Sequence, residues 1–173
     1  MKKLQPIRGT KDILEEEYGK LLFLSSTWYS ITSSYGFNMV ETPIMEDSEV
    51  FKKTLGLNSD IIKKETYTFK DRSNNEITLR PEGTAPVSRA YIQHGMHSMP
   101  QPVRLYYITP IFRYERPQSG RFRQHWQFGV EAIGDESALI DLKAIVPLQI
   151  IHEIFEKMPD SQNGKVVFQA IRK

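Results

Sequence analysis

Apolar side chains recur at helical intervals near the start of the chain. Across residues 13–35 they fall three or four positions apart, and Gly36 follows where a helix commonly ends. This spacing predicts a long amphipathic helix. The apolar stretch 37–40 predicts a short strand, and Pro43 places it at a sheet edge or an interface, because proline donates no hydrogen bond to a sheet ladder.

A second pattern, typical of strands, follows in the middle of the chain. Residues 66–69 and 77–80 favour β structure, and the polar stretch 71–75 between them is typical of a hairpin loop. Thr84 then suits the N-cap of a helix, because its hydroxyl can accept a backbone N–H. We expect that helix to run to about residue 97.

The strand pattern returns after residue 102 and is interrupted twice. Residues 103–108 and 111–115 are strand-like and separated by the pair 109–110, which contains a proline. A basic loop at 116–122, punctuated by proline and glycine, leads into a further strand over 123–133. The sequence therefore predicts strands on both sides of an arginine-rich loop.

The last part of the chain returns to a helical period. Apolar residues over 137–157 keep that period, although Pro147 should kink or divide the helix. After a loop, residues 165–171 could start another strand. No repeat or linker marks a second domain, and 173 residues with 39% hydrophobic content suit one domain.

Composition excludes some functions and leaves others open. A net charge of +2 is too small to establish nucleic-acid binding. The chain has no cysteine, so a disulfide framework, a thiolate zinc site and a cysteine nucleophile are excluded. No window has the roughly 20 apolar residues of a membrane span, and we expect a soluble cytoplasmic protein. His94 and His97 could suggest a metal site, but surface or packing roles are favoured.

Candidate chemistry concentrates between residues 112 and 131. Because side chains alternate along a strand, Arg123, Gln127 and Glu131 share one face of the second strand. Arg113 and Glu115 share a face of its partner, where a guanidinium offers a planar fork suited to phosphate. This arrangement indicates a long polar ligand with an anionic end.

The alternative is that these charges form the solvated face of an ordinary hairpin. Two features count against it. Gln127 and Glu131 stand beside aromatic residues, and the loop has three arginines within the eight residues 116–123. A phosphate or nucleotide binder of unspecified kind remains.

At these residues the sequence resembles the class II aminoacyl-tRNA synthetases. Their second motif reads aromatic-Arg-x-Glu, a loop, then Arg with an aromatic and an acid at four-residue spacing; residues 112–115 and 123–131 match it. Gln127 in place of the usual Phe is similar to the histidyl-tRNA synthetase family, as are segments 79–84, 115–124 and 7–12.

The resemblance implies an α+β fold, with an antiparallel sheet flanked by helices. It implies that the chain is the N-terminal part of a class II catalytic domain, with motif 1 at about 13–46 and motif 2 at about 104–133. In the family, motif 1 builds a homodimer interface around the proline that is Pro43 here. The sheet should be incomplete at its C-terminal end, because the family's motif 3, a later arginine- and tyrosine-bearing segment and the anticodon-binding domain have no counterpart in these 173 residues.

The implied activity is that of a histidine-tRNA ligase. L-Histidine and ATP with Mg²⁺ form histidyl-adenylate, and the histidyl group then passes to tRNA(His); no prosthetic group and no resident metal are implied. We expect the 173-residue chain alone to form little adenylate.

Site residues carry over position by position. The resemblance implies that Arg113 is the catalytic cation that holds the α-phosphate, and that Glu131 faces the imidazole. The implied histidine-binding residues are Glu82, Gly83, Thr84, Arg113, Gln127 and Glu131. The implied ATP-binding residues are Arg113, Glu115, Arg121 and His125. The implied tRNA-binding residues are Arg116, Gln118 and Arg123.

Two departures from the family and two rival functions are relevant here. His125 stands where the family usually has Phe against adenine, and Trp126 where it often has His. A histidine-sensing regulatory paralogue of histidine biosynthesis is one rival, although such paralogues usually lose the arginines of the loop. A non-catalytic RNA-binding or dimerisation module is the other, and it predicts RNA affinity that falls steeply with salt without ATP dependence.

Overall fold

The structure is a computed structural model that describes residues 3–56, 59, 61–114, 122–135, 138–158 and 166–172. Its helices are α1 (Glu15–Ser34), α2 (Ser48–Leu55), α3 (Thr84–Gln93) and α4 (Ala138–Glu156), with a π-helical turn at Ile61–Glu65 and a 3-10 turn at Met96–Ser98. Its strands are β1 (Asn38–Met39), β2 (Met45–Asp47), β3 (Tyr67–Lys70), β4 (Glu76–Leu79), β5 (Val103–Phe112), β6 (Gln124–Ile133) and β7 (Val166–Arg172).

The main sheet has the strand order β1-β5-β6-β7. Strands β5 and β6 pair antiparallel over their full length, with Leu105 opposite Glu131 and Thr109 opposite Gln127. The outer pairs, β1 with β5 and β6 with β7, are parallel. The α+β class is thus confirmed, but the sheet is mixed, because only its central pair is a hairpin.

Helices α1 and α4 cover one face of this sheet. The first helix forms as predicted, with three glutamates in its first turn, where the helix dipole favours negative charge. It buries Leu24 and Trp28, and Trp28 meets Phe128 edge to face at 6.2 Å between ring centroids. The resulting core contains Leu24, Trp28, Phe37, Tyr106, Phe128, Val130, Ala144, Leu148 and Ile151. Helix α3 packs against the opposite face of these strands, where Val87 contacts Leu105 and Tyr107.

A second sheet has the strand order β2-β4-β3. The predicted hairpin is confirmed as β3 and β4, which pair antiparallel. Arg80 follows β4 and links the two sheets through its backbone: its N–H donates to Ile44 O at 3.0 Å, and its carbonyl accepts from the Phe112 N–H at 2.9 Å. The second sheet is thereby fixed against the end of β5.

Three boundary predictions were wrong. The pair Thr109 and Pro110 does not interrupt a strand, since β5 runs through both. Pro147 does not divide the last helix, which continues through it, and a kink at this position stays a prediction. Helix α3 ends at Gln93 because Gly95, with φ of 64°, turns the chain into a separate 3-10 turn.

Among the described residues, no helix combines the length and apolar character required to cross a membrane.

Candidate functional site

Three side chains from the α3-facing side of the main sheet meet three of the four consecutive residues 81–84. Alternation along β5 and β6 places Arg113, Gln127 and Glu131 on one side, as predicted. The contacts are Arg113 Nε to the Pro81 carbonyl (2.8 Å), the Gly83 N–H to Gln127 Oε1 (2.7 Å) and the Thr84 hydroxyl to Glu131 Oε1 (2.8 Å). The two segments singled out in the sequence therefore form one cluster.

Glu82 supplies the cap of α3. Its two carboxylate oxygens accept the backbone N–H groups of Thr84 at 2.7 Å and Ala85 at 2.8 Å. The prediction that Thr84 is the N-cap was wrong: Gly83 occupies that position and Thr84 is the first helical residue. Its hydroxyl is instead directed across to Glu131. Because a carboxylate satisfies the otherwise unpaired amides of the helix start, the segment that carries the cluster is fixed.

The cluster is withdrawn from solvent except at Arg113. Gln127, Glu131, Thr84 and Glu82 are 0%, 1%, 2% and 3% exposed, while Arg113 is half-buried. Polar groups this deeply buried require partners, and here they supply them to one another. A ligand entering the cluster must exchange hydrogen bonds with these groups.

The donors and acceptors are distributed unevenly across the cluster. Two carboxylates and an amide oxygen make its interior an acceptor surface, which suits an ammonium group or a ring N–H. The guanidinium of Arg113 stands at the more exposed end, where an anion such as a phosphate finds a charged donor. This arrangement suits a ligand whose buried end carries hydrogen-bond donors, such as an ammonium group, and whose outer end carries an anionic group.

Tyr107, on the α3-facing side of β5, belongs to the same cluster. Its hydroxyl lies 3.3 Å from Glu131 Oε1. Burial raises the pKa of Tyr107 well above its ordinary value of 10.0, and the charge of Glu131 raises it further. The phenol is therefore a donor throughout the physiological range. Gly129, a glycine within a strand, was the signal in the sequence that another group approaches the backbone here.

Two further predicted residues lie at the start of β6. His125 is buried at 3% exposure, on the same side of the strand as Gln127. The guanidinium of Arg123 stacks over the Tyr114 ring at 3.9 Å from its centroid, and its backbone N–H donates to Gly9 O at 2.6 Å. The N-terminal segment thus supports the strand from which Gln127 and Glu131 project.

The remaining predicted residues do not all fall within the described chain. Glu115, Arg116, Gln118 and Arg121 lie outside the described residues. Pro43 is exposed and lies in the connection between β1 and β2.

In the described part of the chain no group of three or more His, Asp or Glu side chains is placed to hold a metal ion. His94 and His97 are both exposed.

Known proteins match this chain over the region that contains the cluster. The family profile described as Histidyl-tRNA synthetase matches residues 9–167. A histidine–tRNA ligase of Alkaliphilus oremlandii is 45% identical over 148 residues, which cover 86% of this chain and 35% of that protein. A histidine–tRNA ligase of Dehalococcoides mccartyi is 50% identical over 141 residues, covering 82% of this chain and 34% of that protein.

Solved structures give the same result at the level of the fold. The apo histidyl-tRNA synthetase of S. aureus superposes with a TM-score of 0.74 and 38% identity, over 88% of this chain and 35% of that one. A Bacillus halodurans protein, described as an ATP phosphoribosyltransferase regulatory subunit/histidyl-tRNA synthetase, gives 0.72 and 26%, over 88% and 39%. The chain spans about a third of the length of the curated relatives it matches.

Proposed function

Because this chain belongs to the histidyl-tRNA synthetase family, we propose that it is the histidine- and ATP-contacting part of a histidine–tRNA ligase. The reaction joins L-histidine and ATP, carried with Mg²⁺, into histidyl-adenylate and pyrophosphate, and then transfers the histidyl group to tRNA(His). The observation that supports this most directly is the convergence of Arg113, Gln127 and Glu131 on residues 81–84.

The acceptor interior of the cluster suits the amino acid. We assign the substrate ammonium to Glu82 and Thr84 with Gln127 beside them, and the imidazole to Glu131, because a carboxylate accepts a ring N–H. Burial strengthens this selection, because a hydrogen bond to a carboxylate withdrawn from water is stronger than the same bond in solvent. A ligand without a donor at that point is disfavoured.

The half-buried guanidinium suits the nucleotide. Charge grows on the α-phosphate as the histidine carboxylate attacks it, and Arg113 is assigned to neutralise that charge. It acts electrostatically, because arginine does not exchange its proton in this range. His125 is assigned to adenine, and Glu115 and Arg121 to the adenine edge and the outer phosphates.

The remaining assignments concern larger partners. Arg116, Gln118 and Arg123 are assigned to the tRNA acceptor end, and Pro43 to a homodimer interface. Residues 13–46 and 104–133 are assigned as motifs 1 and 2 of a catalytic domain that works in the cytoplasm.

Calorimetric titration of L-histidine tests the amino-acid half of the proposal. Glu131→Gln keeps the size of the side chain and removes its charge, and should weaken histidine binding by roughly tenfold to a hundredfold, which is the cost of one charge-assisted hydrogen bond. Glu153→Gln, an exposed carboxylate on α4, is the matched control and should bind as the unaltered chain does.

Titration of ATP with Mg²⁺ tests the nucleotide half. Arg113→Ala should weaken ATP binding while histidine binding changes less. Histidine binding without any ATP binding would contradict the ligase and point to a histidine-sensing regulatory role. Salt-sensitive RNA binding with neither small ligand would point to a non-catalytic RNA module.

A further inference from the structure

The ring of Tyr107 is confined by the backbone on both sides. A Cβ placed on Gly83 would lie 2.4 Å from its Cε2, and one on Gly129 would lie 2.3 Å from its Cζ. Both positions are glycine, so the ring occupies the space that side chains would otherwise fill. The side chain is 2% exposed. Its position is thereby set by the N-cap of α3 and the middle of β6 together.

The confined ring places its hydroxyl beside two groups, the Glu131 carboxylate and the Thr84 side chain. That hydroxyl lies 3.3 Å from Glu131 Oε1, the same oxygen that accepts the Thr84 hydroxyl at 2.8 Å. Two donors converging on one carboxylate oxygen favour the charged carboxylate and restrict the rotation of the group. Thr84 is held by the helix start, and Tyr107 by the two glycines.

We propose that Tyr107 is a positioning residue for histidine recognition, whose phenol keeps Glu131 ionised and oriented to accept the imidazole N–H. This inference rests on the proposed function, because it presupposes that Glu131 meets the imidazole. Tyr107 acts through Glu131. It determines specificity because a carboxylate held as an acceptor selects a ring that brings a donor.

The substitution Tyr107→Phe isolates the hydroxyl. The ring stays between the two glycines, while the donor to Glu131 is lost. Tyr106→Phe is the matched control: Tyr106 is the preceding residue of the same strand, is also 2% exposed, and packs in the opposite core against α1 and α4. Both variants lose one phenol oxygen, and only one of them loses it next to Glu131.

The first measurement is the titration of the Glu131 carboxyl in the 173-residue chain labelled with ¹³C-glutamate. The resonance is assigned by its disappearance in Glu131→Gln. Removing a donor to the charged form raises the pKa of a carboxyl, so Tyr107→Phe should raise the midpoint by about one pH unit. Tyr106→Phe should leave it in place.

The second measurement is the affinity for L-histidine. Tyr107→Phe should raise the dissociation constant about tenfold at pH 7, and Tyr106→Phe should leave it unchanged. Thermal unfolding of both variants shows whether a loss reflects folding.

The possible results distinguish the role of Tyr107 from the proposed function on which it rests. If the unaltered chain binds histidine while the Glu131 midpoint and the affinity are the same in Tyr107→Phe, the role of Tyr107 is overturned and the proposed function stands. If the unaltered chain binds no histidine, the proposed function is overturned, and the recognition role with it. A raised midpoint with weakened binding, absent from Tyr106→Phe, supports both.

Discussion

At the scale of single residues, Arg80 is a buried cation that binds carbonyl oxygens. It is 1% exposed, and its Nε and Nη1 donate to Pro110 O at 2.9 Å and Thr42 O at 2.7 Å. Burial lowers the pKa of Arg80, and the charges of Glu41 and Glu46 oppose that fall. The guanidinium holds the loop before β2 against the strand that leads to Arg113.

Replacing this guanidinium should destabilise the fold. Arg80→Met removes two charge-assisted hydrogen bonds and leaves buried carbonyls without them, so we expect a loss of about 3 kcal/mol in the free energy of unfolding. Urea unfolding followed by circular dichroism measures it. Arg72→Met, at an exposed turn position, should change that free energy by less than about 0.5 kcal/mol. An equal effect of the two substitutions would contradict this account.

The sequence predicts the position of residues that follow the alternation of side chains along one strand. It does not predict the position of residues that are placed by backbone segments far away in the chain. Gln127 and Glu131 share a face because they are four positions apart on one strand, which requires no knowledge of the fold. Tyr107 is typical of a sheet core, like its neighbour Tyr106, and alternation alone does not show which of the two lines a pocket. Its place follows from two glycines that are 24 residues before it and 22 after it, which only the folded chain brings together.

At the scale of elements, the turn between β3 and β4 is organised by one carboxylate. Asp71 Oδ1 accepts the N–H groups of Ser73 and Asn75, each at 2.8 Å, and Oδ2 accepts the Asn75 side-chain amide at 3.0 Å. The Asn75 side chain, followed by its backbone N–H, lowers the pKa of Asp71 below its ordinary value of 3.8. The charged form of Asp71 therefore stabilises the hairpin.

The direction of this pKa shift fixes the pH dependence. A lowered folded pKa contributes stability that is present above about 4 and is lost as the pH falls through the folded value. Asp71→Ala should therefore have a lower urea midpoint than the unaltered chain near pH 7, and the difference should shrink below pH 4. Asp71→Asn keeps an oxygen acceptor but has no charge. It should therefore also lack the part of the free energy of unfolding that changes as Asp71 takes up a proton. A difference that persists unchanged to pH 2 would contradict the argument.

Element boundaries were predictable where local pattern and fold agree, and missed where they do not. Pro110 indicated the end of a strand because it has no N–H. In the fold the Pro110 carbonyl accepts from Arg80 and therefore points away from β6. The N–H and the carbonyl of a strand residue point to the same side, so an N–H at this position would not have bonded to β6 and its absence costs the sheet nothing. The mixed sheet could not be predicted either, because the parallel partners β1 and β7 are joined to the hairpin by long connections.

At the scale of the whole molecule, apolar side chains are exposed around Pro43. Met39, Ile44 and Met45 are 58%, 44% and 57% exposed. The intervening residues 40–43 line an open pocket of about 450 Å³ together with Arg89, Ala90, Gln93, His94 and Met96. An exposed apolar surface beside a proline at a sheet edge is consistent with the homodimer interface that we propose for this segment.

Charge placed on this surface should separate the dimer. We expect the double substitution Ile44→Glu with Met45→Glu to raise the dimer dissociation constant about a hundredfold or more, because two buried apolar contacts would become repelling carboxylates. Sedimentation equilibrium measures the constant. Ile145→Glu, on α4 and 43% exposed, introduces a charge elsewhere and should leave the dimer intact. A monomeric unaltered chain would contradict the proposed interface.

The main sheet is a single layer, and both indole fluorophores lie on the side that α1 and α4 cover. Trp28 belongs to the core beneath α1, and Trp126, although adjacent to Gln127, packs against that same core. Intrinsic emission therefore reports whether the helices are docked and is nearly blind to what occupies the other side. An optical assay for ligands of this protein needs an added reporter dye, and a negative quenching experiment carries no information about binding.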